Sequence, residues 1–241
     1  MRSAPLIKLA PNGFTLVEMA IVLFIVALLL GGLLPTISGQ VEQQRINETR
    51  KQLDDIKQAL IGFAIINGRL PCPANGILPS GDEVTSGGSC SLTKGVLPWA
   101  TLAVNETDAW GRRFTYRVSH GGTSNFADSV DGTDPTACAV TAGVSFQICS
   151  SANLNIEATS GGTNVATAVP AVVVSHGKNG LGAYPANGGT QIGTATGDEE
   201  ENSDDNNTFV SKNFSQTFDD VVVWISPPVL INRMVTAGRL P

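Results

Sequence analysis

Four cysteines, two histidines and one dense run of acids are the residues through which this chain could do chemistry. The acids stand together in Asp198-Glu199-Glu200-Glu201-Asn202-Ser203-Asp204-Asp205, six carboxylates in eight residues. That density suits a hard cation, which takes about six to eight oxygen ligands. The spacing is not that of an EF-hand, and charge runs also form solvated loops. His120 precedes Gly121-Gly122 with no nucleophile beside it. His176 follows Ser175, but no Gly-x-Ser-x-Gly elbow surrounds that serine. Both histidines are therefore expected to make local hydrogen bonds in loops. No set of acid, base and nucleophile assembles, so the chain is not expected to be an enzyme.

The four cysteines, Cys72, Cys90, Cys138 and Cys149, allow three pairings. Pairing of sequence neighbours, Cys72 with Cys90 and Cys138 with Cys149, is preferred because each bond closes a loop in a Gly-rich region. Each would contribute roughly 3 kcal/mol by constraining the unfolded chain. No Cys-x-x-Cys spacing or convergent histidine cluster is present, so zinc is not expected. Paired cysteines call for an oxidising compartment.

These residues must be positioned by the elements around them. From Phe14 to Leu34 the only ionisable side chain is Glu18, and about twenty apolar residues are what a helix needs to cross a hydrocarbon core. The residues before it, Met1 to Gly13, carry Arg2 and Lys8 and no acid, a basic leader that would stay on the cytoplasmic side. A cut after Gly13 would leave the membrane helix on the mature chain, with Phe14 at its N-terminus. A carboxylate inside a membrane helix costs about 3 kcal/mol, so Glu18 needs a partner or a function. Snorkelling to the interface, or a place near the positive end of the helix dipole, is the alternative. Gly31-Gly32 and Pro35 predict a kink or a locally melted stretch between Leu30 and Pro35.

From Val41 the pattern turns amphipathic, with Ile46, Leu53, Ile56, Leu60 and Phe63 or Ala64 at helical spacing. The helix is expected to end near Ile66, before Asn67-Gly68. The remainder, 67–241, is read as one globular head. Asp108–Val118 reads as a turn feeding a strand, with Phe114, Tyr116 and Val118 on one face, and strands are expected at Ala171–Ser175 and at Asp219–Ile225. Ala139–Ile148 is a further strand or tight hairpin, Trp110 a core residue, and Val229–Ala237 a short helix. Net charge is −6, and loss of Arg2 and Lys8 takes it to −8 (13 basic against 21 acidic residues). With no Lys/Arg stripe to neutralise phosphates, nucleic acid is not expected as a partner.

Gly13-Phe14-Thr15-Leu16-Val17-Glu18 resembles the processing motif of type IV pilins and of the pseudopilins of type II secretion systems. The resemblance implies that a prepilin peptidase cuts after Gly13 and methylates Phe14, and that Glu18 pairs with the N-terminal amine of a neighbouring subunit. It also implies that the helix can extend at Pro35 when subunits assemble. The fold implied is α+β and pilin-like, a long N-terminal helix packed on a mainly antiparallel sheet with long loops. Domains follow as leader 1–13, helix 14–66 with 14–34 in the membrane, and a periplasmic or extracellular head. Asp108-Ala109-Trp110-Gly111-Arg112-Arg113-Phe114-Thr115-Tyr116 is similar to the Asp-x-Trp-Gly-x-x-aromatic-x-Tyr signature of the major pseudopilin. The loop His176–Gly182 with the later acidic run resembles the calcium-binding loop of the same proteins, which implies calcium held by Asp198, Glu199, Glu200, Glu201, Asp204 and Asp205. Asn75–Val104 and Ser119–Pro170 have no counterpart in that family.

The function implied is that of a structural subunit, a minor one given its large head. It would be anchored in the inner membrane of a bacterium and assembled with other pilin or pseudopilin subunits into a filament. The alternative is a membrane-anchored periplasmic binding or sensing domain that does not polymerise.

Overall fold

The structure, a computed structural model, describes residues 13–78, 80–120, 125–128 and 143–241, with the side chains of 31–37 outside the description. The first helix, α1, spans Leu16–Asn67 and is unbroken through Leu30–Pro35. The melted stretch expected there is not seen. A proline removes one backbone hydrogen bond, and the turns on either side keep theirs. The chain divides into two compact units, Met1–Gln44 and Arg45–Pro241.

In the first unit the apolar side chains are exposed, among them Leu16, Val17, Leu23 and Phe24, as far as Leu30. Among the described residues no helix is long and apolar enough to cross a membrane.

In the second unit the sequence pattern of α1 is realised as packing. Leu53, Ile56, Leu60, Ile61 and Ala64 are buried, while Ile46 and Phe63 are only half-buried. The helix stops where Gly68 adopts φ +72°, and a Cβ there would lie 1.9 Å from the Gly143 carbonyl oxygen. Only glycine takes that conformation without strain.

After it come β1 (Thr85–Ser86), β2 (Ser89–Cys90), β3 (Lys94–Val96), α2 (Trp99–Leu102), β4 (Arg112–Arg113), β5 (Thr115–Val118), β6 (Leu154–Glu157) and β7 (Asn164–Val169). Then follow β8 (Ala171–Ser175), β9 (Tyr184–Pro185), α3 (Asp198–Ser203), β10 (Thr208–Val210), β11 (Val221–Ile225) and α4 (Pro227–Thr236). The central sheet has the order β11-β8-β5-β3 and is antiparallel throughout. Side chains alternate across a strand, and both faces of this sheet are covered. Tyr116, Val118, Ala171, Val173 and Ile225 join the core formed with α1 and α4. Val172, Val174 and Val222 join Leu154, Ile156, Val169 and Phe209 from the second sheet, β10-β6-β7. That sheet contains a parallel pair, β10 with β6. The chain is therefore α+β, an N-terminal helix followed by mainly antiparallel sheets.

Cys72 and Cys90 form a disulfide. Cys149 is also disulfide-bonded, while Cys138 and the first four residues of the expected 139–148 strand or hairpin lie outside the described residues; the described part, 143–148, is turn and loop. The loop closed by Cys72–Cys90 is further held by Glu83, which takes two hydrogen bonds from Arg69 at 2.7 and 2.8 Å and one from the Cys72 amide. Replacing both Cys72 and Cys90 by serine should lower stability by about 3 kcal/mol, the entropy of a closed loop of this size. Urea denaturation of the variant against the native chain checks this, and an unchanged midpoint would mean that the Arg69–Glu83 contact alone fixes the loop.

Candidate functional site

The N-terminal site is built by the helix start itself. Thr15 precedes the first helical residue, and its hydroxyl oxygen accepts the Glu18 amide at 3.2 Å. The Thr15 amide and hydroxyl donate in return to Glu18 Oε2 at 2.8 and 2.9 Å. This is a capping box, in which a Ser/Thr and a Glu three residues on satisfy otherwise orphaned donors of a helix end. The Thr-x-x-Glu spacing of Thr15 and Glu18 carries this signal in the sequence. In the structure the Glu18 carboxylate is folded back onto Thr15. Gly13 and Phe14 are exposed just before it. Pro35 lies within α1, and its side chain is outside the description.

The second candidate lies at the end of the central sheet. The turn 108–112 is made by Asp108, whose Oδ1 accepts the amides of Trp110 and Arg112, both at 3.0 Å, while Oδ2 accepts the Ser175 hydroxyl at 2.6 Å. Burial pushes the Asp108 carboxyl up, and these hydrogen bonds pull it back. Asp108 is thus the buried member of the Asp-x-Trp-Gly motif. Trp110 is only partly buried, which corrects its expected place in the core. The Asp108 carboxylate takes the interior position because it closes the turn. Phe114, Tyr116 and Val118 are buried on one face as expected.

Arg112, the last donor in that turn, reaches across to the carbonyls of Gly177 and Lys178 at 2.5 and 2.8 Å. This fixes the Gly-rich loop after β8. Gly177 has φ +52°, and a Cβ there would meet the Asp219 carbonyl oxygen at 2.1 Å. The glycine therefore lets the loop touch the chain entering β11. Asn179 donates through its amide to Asp219 Oδ2 at 2.8 Å and through Nδ2 to both oxygens of Glu199. The Asp219 amide donates to Glu199 Oε1 at 2.9 Å, and Asn202 Nδ2 donates to Asp220 Oδ2 at 2.8 Å. One ligand oxygen from each of Glu199, Asp219 and Asp220 lies within 4.8 Å of the others.

His176 stands behind this cluster, fully buried, with Nε2 2.8 Å from Thr115 Oγ1 and Nδ1 3.7 Å from Asp220 Oδ1. Burial, with the charges of Lys94 and Arg112, pushes its pKa down to about 3. Asp220 is held well above the ordinary carboxylate range, first by burial and then by Glu199 and Asp219 against the pull of the Asn202 bond. Asp219 is raised too, chiefly by burial.

Of the acidic run expected to bind calcium, only Glu199 enters this cluster. Asp198 pairs with Lys212 and accepts the Ser160 amide. Glu200 is exposed, and Glu201 accepts from Ser160 Oγ and Asn206 Nδ2. Asp204 accepts from Asn206, and Asp205 pairs with Arg117 at 2.5 Å. The run opens α3, where carboxylates face the positive end of a helix and turn to several sides. The acids that converge are thus Glu199, Asp219 and Asp220 and not the run; Glu199 is held by Asn179 and the Asp219 amide, while Asp219 Oδ1 and Asp220 Oδ1 are buried with no hydrogen-bond partner. Sequence reading missed Asp219, Asp220 and Asn179. The signal available was the register, since Val221 opposite Ser175 sets the residues before β11 beside those after β8.

A second grouping, Cys90, His120 and Asp128, also brings ligand atoms together. Its sulfur is already in the disulfide with Cys72, so it offers no thiolate. His120 Nδ1 lies 3.7 Å from Asp128 Oδ1.

No curated protein and no solved structure matches the chain. One family model does, described as the prokaryotic N-terminal methylation motif, over residues 10–34. It spans Gly13, Phe14 and Glu18, and it implies processing by a prepilin peptidase and assembly with pilin subunits. Residues 10–34 of this chain thus carry the signal of type IV pilin and pseudopilin precursors.

Proposed function

We propose that this chain is a non-enzymatic structural subunit, and a minor one, of a type IV pilus or type II secretion filament. A prepilin peptidase cuts it after Gly13 and methylates Phe14. Phe14–Leu34 then anchors it in the bacterial inner membrane with the head, 67–241, on the periplasmic side. Assembly packs that helix against those of neighbouring subunits, with Glu18 neutralising an adjacent N-terminal amine. The observation that carries this reading is the exposed apolar stretch from Phe14 to Leu30 directly after a methylation motif. An exposed apolar surface of that extent marks a membrane or protein contact, and a plain membrane anchor has no need of a cut directly before its apolar run.

Intact-mass measurement of the protein from membranes of cells with and without an active prepilin peptidase tests it. The expected product is a chain beginning at methylated Phe14, found only where the peptidase works. A chain that keeps residues 1–13 in both would overturn the proposal in favour of a membrane-anchored domain that does not polymerise.

A further inference from the structure

The central sheet has two edges, and the chain covers one of them. At β3 the Ala74 amide donates to the Val96 carbonyl at 2.9 Å and the Val96 amide to the Ala74 carbonyl at 3.0 Å, so residue 74 stands where a further strand would. At the other edge is β11. Two bonds at the strand ends set the phase of the ladder: the Leu97 amide donates to the Phe114 carbonyl, and the Ser119 amide to that of Pro170. Bonded pairs alternate in an antiparallel ladder. With the observed registers, β5 turns the backbone of Thr115 and Arg117 to β8, and β8 turns that of Ala171, Val173 and Ser175 to β11. Val221, Val223 and Ile225 answer them. The amides and carbonyls of Val222 and Trp224 are left pointing out of the sheet, and among the described residues nothing bonds them.

A cleft of about 310 Å³ lies along that edge, lined by Asp220–Val223, by Arg50 and Asp54 of α1, and by Ser211, Lys212 and Phe214 after β10. Arg50 sits over the Phe214 ring, 5.4 Å from its centroid. Neither Arg50 nor Asp54 is in an ion pair among the described residues. Outward donors and acceptors at strand spacing are a template for one more extended backbone. Such a strand sends alternate side chains to its two sides, here α1 and the second sheet. Residues two apart on it are about 6.8 Å apart, and Arg50 and Asp54, four apart on a helix, rise by about 6 Å. Two side chains of the added strand can thus meet both charges.

We propose that β11 is the docking edge for an extended segment of another protein, which adds antiparallel to the central sheet as a fifth strand. Directly opposed residues share a face, and Val222 and Trp224 face the second sheet. The segment therefore places apolar residues opposite these two, toward Phe214. The residues between them face α1, an acid to Arg50 and a base to Asp54.

The full chain, isotope-labelled and in detergent, is titrated with two capped peptides, Val-Glu-Val-Lys-Val and Val-Lys-Val-Glu-Val, and followed by NMR. Saturable shifts of the Val222 and Trp224 amides are expected, with one charge order bound at least threefold more tightly. N-methylation of the central valine, whose amide faces β11, should abolish binding. N-methylation of the glutamate should leave it within twofold. Arg50→Asp combined with Asp54→Arg should invert the preference between the peptides, and both residues are exposed, so the variant keeps the core intact. No shift with either peptide, equal loss from the two methylations, or an unchanged preference in the swapped chain would overturn the proposal. It also falls if the two amides are protected from exchange before any peptide is added and are released on dilution, since a second copy of the chain then occupies the edge.

Discussion

Arg113→Ala should lower the stability of the head by roughly 4 kcal/mol or leave it unfolded, a loss comparable with the whole stability of a marginal domain. Arg113 is almost fully buried. Its Nε donates to Glu106 at 2.8 Å, Nη1 to the carbonyls of Gly76 and Leu78 at 2.9 and 3.0 Å, and Nη2 to that of Ala186 at 2.9 Å. The guanidinium also sits over the Trp99 ring, 4.5 Å from its centroid. One side chain thus ties the loop before β1 to the loop after β9 and to α2. Truncation leaves those carbonyls without donors, at about 1–3 kcal/mol each where water cannot replace the bond. Arg113→Lys should recover only part of the loss, because a point ammonium cannot reproduce a planar fork of donors. Arg50 over Phe214 serves as the control, since Arg50 is exposed and its contact is a single ring at 5.4 Å; Arg50→Ala should cost less than 1 kcal/mol. Urea unfolding followed by tryptophan fluorescence compares the three variants, and equal losses for Arg113→Ala and Arg50→Ala would refute the structural role given to Arg113.

Arg113 also shows where sequence reading stops. The strands β8 and β11 were legible because runs of valine buried on both faces leave a plain pattern. The second half of α1 was legible from its apolar spacing, and its end from Asn67-Gly68. A charged side chain between Arg112 and Phe114 carries no such mark. Its burial is decided by three carbonyls that come from distant loops, and nothing local predicts them. The same holds for the second sheet. β6, β7 and β10 come from Gly-, Thr- and Asn-rich sequence, where apolar alternation is weak and pairing depends on strands far apart in the chain.

The candidate cation site divides in the same way. The loop His176–Gly182 and the acidic run were visible as compositions. Which acids converge is a question of register, and register is long-range. The antiparallel pairing of β11 with β8 places Asp219 and Asp220 beside the loop, whereas α3 and the residues after it turn five of the six acids of the run to other partners or to solvent. Composition located the neighbourhood, and topology chose the residues.

At the N-terminus two roles of Glu18 compete, and one pair of variants separates them. In the isolated chain Glu18 closes a capping box with Thr15, which alone could account for an acid at this position. In the proposed filament the same carboxylate meets the amine of a neighbouring Phe14, and its charge is what matters in a medium of low dielectric. Glu18→Gln keeps an acceptor able to complete a capping box and removes the charge. Thr15→Ala keeps the charge and removes the cap, at a cost of about 1 kcal/mol at the helix end. If charge pairing drives assembly, Glu18→Gln should reduce incorporation into sheared filaments at least tenfold, with the processed chain still present in the membrane. Thr15→Ala should then stay within about twofold of the native chain, since a frayed first turn costs only about 1 kcal/mol. The opposite order, assembly surviving Glu18→Gln and failing with Thr15→Ala, would assign Glu18 to the helix cap and leave subunit pairing to the apolar face alone.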